Sequence, residues 1–412
     1  MPGMTVLTHA RVIDGTGRPP HEDAAVVVEA GLIREVTGAG AAPRSAARVI
    51  DCRGSTLLPG LTDAHVHVMA VEANMLELHR QHPPSLIALK AGVGLREMLL
   101  RGFTTVRDCG GADWGVREAV AQGVVPGPRL LVSGRFISQT GGHGDYRHRT
   151  ETGPPLEGCI GMLGSIADGV DEVRRAAREE LRRGADQIKV MGSGGAVSPT
   201  DELDTTQYSV PELRAAVEEA RAVGTYVTAH AYSGVAIENA MRAGVHCIEH
   251  GNLMHESAAR AMKAADAFLV PTLAASFVLE RDGERYGASA ETMRKIRTVR
   301  AKAVESLDLA YRTGLRIGSG SDLIGPMNVD QALELELKAR VLPPMEVLVS
   351  ATRTNAELFG LEAEIGTVEA GKRADLLVVR GDPLRDLRLF QSPAENLLLI
   401  MKAGDVVKSL LG

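Results

Sequence analysis

Residues 171–192 read DEVRRAAREELRRGADQIKVMG, and this stretch decides the fold. Val173, Ala176, Ala177 and Leu181 recur at helical spacing and share one face, while arginines and glutamates fill the other. Gly184 stands where a helix ends in the left-handed conformation. The text then turns into a short apolar strand, QIKVMG. The same unit repeats downstream. Ser209-Val210-Pro211-Glu212 reads as a capping box, with Pro211 in the first helical position and Glu212 able to reach back to the cap. That helix runs to Gly224 and feeds TYVTAHA; another ends at Gly244 and feeds VHCIEHG; a further one precedes AFLVPTLAA.

Strands joined by amphipathic helices lie parallel, because each helix carries the chain back across the sheet. Earlier candidates are LTDAHVHV, GFTTVRDCGG and PRLLVSG, and a late one is LRIGSGSD. Together they predict eight strands, at about 61–68, 102–109, 128–134, 186–192, 225–231, 245–250, 268–274 and 315–322. Eight strand–helix units predict an α/β fold of the distorted (β/α)8 TIM barrel kind over an open doubly wound sheet. A long helix is expected near about 291–313. Outside the barrel the text is β-rich. VLTHARVID, AAVVVEA, LIREVTG and ARVIDCRGSTLLPG precede it, and IGTVEAGKRADLLVVRGDPL and NLLLIMKAGDVVK follow. The expected division is a barrel over 59–363, flanked by a small β-sandwich built from both chain ends, 1–58 and 364–412.

The bulk properties narrow the function. The chain has 412 residues, 44% of them hydrophobic, enough for one large core or a barrel with a smaller companion. A net charge of −6 with both signs interspersed gives no electrostatic footprint for nucleic acid. Cys52, Cys109, Cys159 and Cys247 show no CxxC pair or disulfide spacing and are expected to be reduced thiols. No apolar run approaches the ~18–20 residues of a spanning helix, and the first residues do not read as a secretory signal, so a cytoplasmic location without membrane attachment is expected.

The chemistry is written at strand ends. His65 and His67 close the first predicted strand in D-A-H-V-H; Lys189 lies in the fourth; His230, His250 and Asp322 lie at the ends of the fifth, sixth and eighth. Barrel strand ends converge on one mouth. Residues two apart on a strand point to one side, so His65 and His67 begin a metal site. Any one of these residues alone would pass for a core or surface residue. Four histidines, a lysine and an aspartate at one mouth need a common cause, because burying such groups without a metal or partners is costly.

With these residues in view, the chain resembles the amidohydrolase superfamily, in the imidazolonepropionase-related branch that includes prolidases and other dipeptidases. The resemblance covers essentially the whole chain and rests on VIDGTG, VIDCRGSTLLPGLTDAHVH, the lysine strand, TAHAYS, CIEHG, GSGSD and GTVEAGKRADLLVVRGDPL. It implies two divalent ions, zinc being the expected metal, with Lys189 converted by CO2 or bicarbonate to N6-carboxylysine. His65, His67, Lys189 and Asp322 would hold the more buried ion, and Lys189, His230 and His250 the other. A lysine is a cation near neutral pH and cannot bridge two cations; its carbamate can. The implied reaction is attack of a metal-bridging hydroxide on an amide carbonyl, with Asp322 as proton carrier.

His143, in the glycine-rich SQTGGHGD after the third strand, is the candidate donor to the oxyanion and a substrate contact. Tyr232, two residues beyond His230, is the candidate contact for a terminal carboxylate. The Asp145–Arg149 loop could add a cationic contact, and Asp201, Glu202 or Asp204 could meet a substrate amine. The expected activity is a dipeptidase acting on Xaa–Pro or another dipeptide with a free C-terminal carboxylate. The alternative is hydrolysis of N-acyl amino acids, ochratoxin-like amides, carbamates or cyclic amides. An inactive scaffold is disfavoured because every ligand position holds a competent residue. The resemblance also implies a homo-oligomer whose other partner is a small-molecule or dipeptide substrate.

Overall fold

Every residue of the strand Leu61–Val66 is buried, as are all six of Phe103–Asp108. Strands covered on both faces belong in the interior of a parallel sheet. The computed structural model describes residues 3–41, 48–75, 77–156, 158 and 161–411. In it Leu61–Val66, Phe103–Asp108 and Arg129–Val132 form a three-stranded parallel sheet. Ile188–Met191, Val227–Ser233, Cys247–Leu253, Phe268–Val270 and Arg316–Ile317 form a second parallel sheet, extended at one edge by the two-residue strands Ile137–Ser138 and Ser165–Ile166. Backbone hydrogen bonds join the sheets on both sides. Ala64 N–H reaches Ser319 O and Asp322 N–H reaches His65 O, each at 2.8 Å, and Asp186 N–H reaches Val132 O at 2.7 Å. This α/β arrangement of parallel strands is consistent with a (β/α)8 barrel.

The structure departs from the predicted elements in informative places. The last two strands are much shorter than expected. Thr272, at φ 47°, turns the chain straight into the helix Leu273–Asp282. Beyond Ile317 the chain leaves strand geometry because Gly320 lies against the two-histidine strand, where a Cβ would stand 2.7 Å from that of His65. Asp322 therefore sits five residues past its strand, and His230 and His250 sit within theirs. The helix Gly169–Arg182 buries Val173, Ala176 and Ala177 as its period requires. The Ser209–Glu212 capping box forms, but the helix begins at Val210, so Pro211 stands one place further in than predicted. The long helix spans Ala290–Thr313.

Both chain ends contribute to one continuous eight-stranded sheet. In it Ser55–Pro59, directly upstream of Leu61–Val66, pairs parallel with Thr5–Val12 on one side and antiparallel with Leu376–Arg380 on the other. Leu7, Val26, Ile50, Leu57, Leu376 and Leu399 form part of its own apolar cluster. Cys52, Cys109 and Cys247 are free, buried thiols; Cys159 lies outside the described residues. Among the described residues no helix is long and apolar enough to cross a membrane.

Candidate metal centre

His65 and His67 share one side of the chain, and each ring is fixed through Nδ1. His65 Nδ1 meets the Glu249 carboxylate at 2.7 Å, and His67 Nδ1 meets the Gly110 carbonyl at 2.8 Å. The two Nε2 atoms are thereby turned toward one another, 3.3 Å apart. Asp322 Oδ1 lies 3.4 Å from the first and 3.3 Å from the second. Two imidazole nitrogens on one tetrahedral zinc, each at about 2.0–2.1 Å, are separated by about 3.3 Å. The donor set therefore fits a divalent cation at this point. His65, His250 and Asp322 also offer ligand atoms that all lie within 4.8 Å of one another.

The other candidates line the same cavity. His230 commits Nε2 to the Gly194 carbonyl at 3.1 Å, which leaves Nδ1; His250 commits Nδ1 to the Thr272 hydroxyl at 2.7 Å, which leaves Nε2. Lys189 is 1% exposed, and among the described residues its ammonium makes no ion pair or hydrogen bond. A buried, unpartnered cation beside four imidazoles is strongly disfavoured. The same side chain carrying an acidic group would turn that penalty into metal ligation.

The electrostatics favour neutral rings at His65, His230 and His250 and an ionised carboxylate at Asp322; His67 differs, since burial lowers it but its contact with Asp322 carries it above the usual histidine value. Burial, followed by the nearby Lys189 charge, pulls His65 down to about 4. Burial also carries His230 and His250 well below the usual histidine range. Burial alone would raise Asp322, but His65, His67 and His250 hold it well below the ordinary carboxylate range. Three residues lining the cavity, His250, Thr272 and Asp322, have positive φ of 75°, 47° and 52°. Such backbone persists in side-chain-bearing residues only where the surroundings over-determine it, and it concentrates at functional sites.

Beneath the ligands lies a layer that the sequence reading missed. Glu249 is fully buried and accepts from His65, from Arg107 Nη2 at 2.5 Å and from the Thr228 hydroxyl. Burial raises its carboxyl, but Arg107 and His65 overcome this and hold it well below the usual range. Asp108 accepts from the backbone N–H of Val68, Gly110 and Ala112, tying the chain beyond His67 to the neighbouring strand. Asp63 accepts from the N–H of His65 and of Ser321 and from the Gln331 amide, bracing the Asp322 loop. The signal for this layer was a charge inside apolar strand text: Arg107 in FTTVRD and Glu249 in CIEHG. His65, Cys109 and Glu249 also lie close enough together to bind an ion. Glu249 is already neutralised by Arg107, however, and burial pushes the Cys109 thiol up to about 12, so this group lacks a thiolate ligand.

Among the substrate candidates, His143 and Tyr232 reach the cavity. The His143 ring stacks on His230 at 4.2 Å, and Tyr232 packs edge-on to His230 at 4.8 Å. The charged side chains of the neighbouring loops do not, although Tyr146 of the Asp145–Arg149 loop does. Arg147 folds back on Asp145 with contacts of 2.8 and 2.6 Å. Asp201 is buried against Ser198 and Gln207, and Glu202 pairs with Arg294 at 2.7 Å. Much of the remaining wall is apolar, with Met75, Met162, Leu279, Ile296, Ile324 and Met327 among its residues.

The amidohydrolase family pattern matches residues 56–407. The chain is similar to a prolidase whose crystal structure holds N-methylphosphonate-L-proline, with a TM-score of 0.95, 43% identity, and coverage of 98% of this chain and 100% of that one. A Xaa-Pro dipeptidase with methionine bound in its active site gives a TM-score of 0.89 at 27% identity, covering 98% of this chain and 100% of that one. Ochratoxinase of Aspergillus niger is 30% identical over 428 residues, 98% of this chain and 87% of that protein. Its crystal structure gives a TM-score of 0.87.

Proposed function

The chain belongs to the amidohydrolase family and is a hydrolase of amide bonds, and from that premise we propose that it is a binuclear metal-dependent dipeptidase acting on Xaa–Pro or related dipeptides with a free C-terminal carboxylate. The observation that carries this reading is the grouping of four imidazoles, one carboxylate and a buried, unpartnered lysine around a single cavity. Similarity to a prolidase complexed with a proline phosphonate supports the choice of substrate.

On this reading His65, His67, Lys189 and Asp322 hold one ion and Lys189, His230 and His250 the other, with Lys189 carboxylated. Zinc suits a ligand set rich in imidazole. When bound, such ions supply a hydroxide nucleophile at neutral pH and polarise the scissile carbonyl. The protein's own groups do the rest. Asp322, ionised throughout the neutral range, accepts the nucleophile's proton at a carboxylate oxygen and delivers it to the leaving nitrogen. His143, whose ring lines the cavity, contacts the substrate beside the scissile bond. The Tyr232 hydroxyl donates to the substrate's terminal carboxylate. The apolar wall receives the side chain of the residue before the cleaved bond.

Metal analysis and a substrate panel test the proposal. The purified protein should contain about two divalent ions per chain and cleave Xaa–Pro dipeptides ahead of N-acyl amino acids and aryl carbamates. Preferential cleavage of ochratoxin-like amides would replace it with the second reading, which the likeness to ochratoxinase favours. A chain that stays metal-free and inactive after addition of divalent ion and bicarbonate would remove both.

A further inference from the structure

Behind His143 runs a line of buried polar groups that the scheme above leaves unused. His143 Nδ1 lies 2.9 Å from Ser198 Oγ, and Ser198 Oγ in turn meets the Asp201 carboxylate. The second oxygen of Asp201 accepts from the Gln207 amide at 2.7 Å, and the Gln207 carbonyl oxygen accepts from the His143 backbone N–H at 2.9 Å. The circuit therefore closes on the residue where it began. Lys295, from the helix Ala290–Thr313, donates to the backbone carbonyls of Gly195, Ser198 and Asp201, and its ammonium lies 3.9 Å from Asp201 Oδ1. All five side chains are buried.

The protons in this circuit can be counted. An ionised carboxylate only accepts, and Asp201 has a lysine charge and an amide donor beside it. Ser198 has one hydroxyl proton. Its contact with the Gly195 carbonyl is 3.2 Å, longer than its contact with Asp201. Two oxygens packed together as Ser198 and Asp201 are need a proton between them, so the hydroxyl donates to Asp201. The serine oxygen is then left to accept, and the donor facing it is His143 Nδ1–H. The other ring nitrogen, Nε2, has no partner among the described residues, and the ring lines the cavity.

We propose that Ser198, Asp201 and Lys295 are positioning residues for His143. Lys295 fastens the loop, and the Asp201–Ser198 pair orients the ring and keeps a proton on Nδ1, so that Nε2 alone addresses the substrate. The inference rests on the reading of His143 as a substrate contact. On this inference the neutral ring, protonated at Nδ1, offers Nε2 as an acceptor to a donor on the substrate rather than as a donor to the oxyanion.

The test is ¹⁵N NMR of the imidazole nitrogens in histidine-labelled, metal-loaded enzyme, with the His143 signals identified by their loss in His143→Asn. The wild type should show Nδ1 protonated, and Ser198→Ala and Asp201→Asn should lose that signature. Both variants should lower kcat/KM on the dipeptide substrate by about 10–100-fold, the range for removing an orienting partner, with metal content unchanged. Ser198→Thr, which keeps the hydroxyl, should restore most of the rate. A wild-type ring with bare Nδ1 and protonated Nε2 overturns the proposal, as does wild-type kinetics in Ser198→Ala. If the wild type cleaves no amide offered to it, the functional reading fails while the ring nitrogens still decide this one.

Discussion

On the floor of the cavity His65 and His67 lie at the end of a strand buried along its whole length, and their partners are fixed in turn: Glu249 is clamped by Arg107, and Gly110 follows Asp108, whose carboxylate binds three backbone amides. On the roof His143 stands in a glycine-rich loop and leans on a second loop, which the Lys295 ammonium fastens at three carbonyls. Both regions hold imidazoles in low dielectric, but only the floor builds its supports into the sheet. Damage to the floor should therefore unsettle the fold and the metal together. Damage to the roof should alter turnover and loop motion and leave the fold standing.

The largest effect should come from Lys189→Met. Losing the shared ligand should bring activity to background and reduce bound metal, both measurable by elemental analysis and dipeptide assay. A variant that kept its metal and its rate would break the comparison at the floor. Next is Glu249→Gln, which leaves Arg107 charged and buried without its counter-ion. Breaking such a pair by removing one partner costs about 3–5 kcal/mol. Denaturant unfolding of the metal-free protein should register the loss, together with weaker metal binding. Lys295→Met should cost less, about 1–3 kcal/mol for the carbonyls left without a donor. Hydrogen exchange should accelerate across residues 195–202 and leave the strand Leu61–Val66 protected. Equal acceleration in both would show that roof and floor form one unit.

The last effect is graded, and it concerns acid. His65 and His143 are both held near 4 by burial, below the ordinary 6.5. As pH falls below about 6.5 the unfolded chain takes up these protons first, so stability is complete above that pH and is lost between about 6.5 and 4. Each group adds at most about 1.4 kcal/mol per pH unit to the slope. In the metal-free protein Tm should drop across this window, and His143→Asn should remove only its own share. A Tm independent of pH there would mean that the imidazoles are not held neutral.

The sequence made most of the candidate metal ligands legible because they are polar groups set in apolar strand text. Lys189 in QIKVMG and His230 in TYVTAHA stand out for that reason, and the structure brings them to one cavity with His65, His67, His250 and Asp322. The helical periods around Gly169–Arg182 and Val210–Ala222 were equally plain. What escaped was geometry that residue type does not announce. Thr272 in a left-handed turn cut the seventh strand short, and Pro271 in PTLAA, which cannot donate to a ladder, was the one signal of the break. The parts of Ser198, Asp201 and Lys295 depend on a contact between residues nearly one hundred positions apart, so spacing along the chain was silent. Asp201 read as one of three interchangeable acids that could meet a substrate amine, because Glu202 and Asp204 beside it are acidic too, and only burial distinguishes it.

The strand Ser55–Pro59 has a further consequence for how the molecule is made. It precedes the two-histidine strand by a single residue, yet one of its two sheet neighbours, Leu376–Arg380, is synthesised more than three hundred residues later. Pairing at such separation is slow to form. Until Leu376–Arg380 has been made, the segment that leads into His65 keeps an open edge. A nascent chain stalled before residue 376 would present both histidines beside a strand still lacking its outer brace.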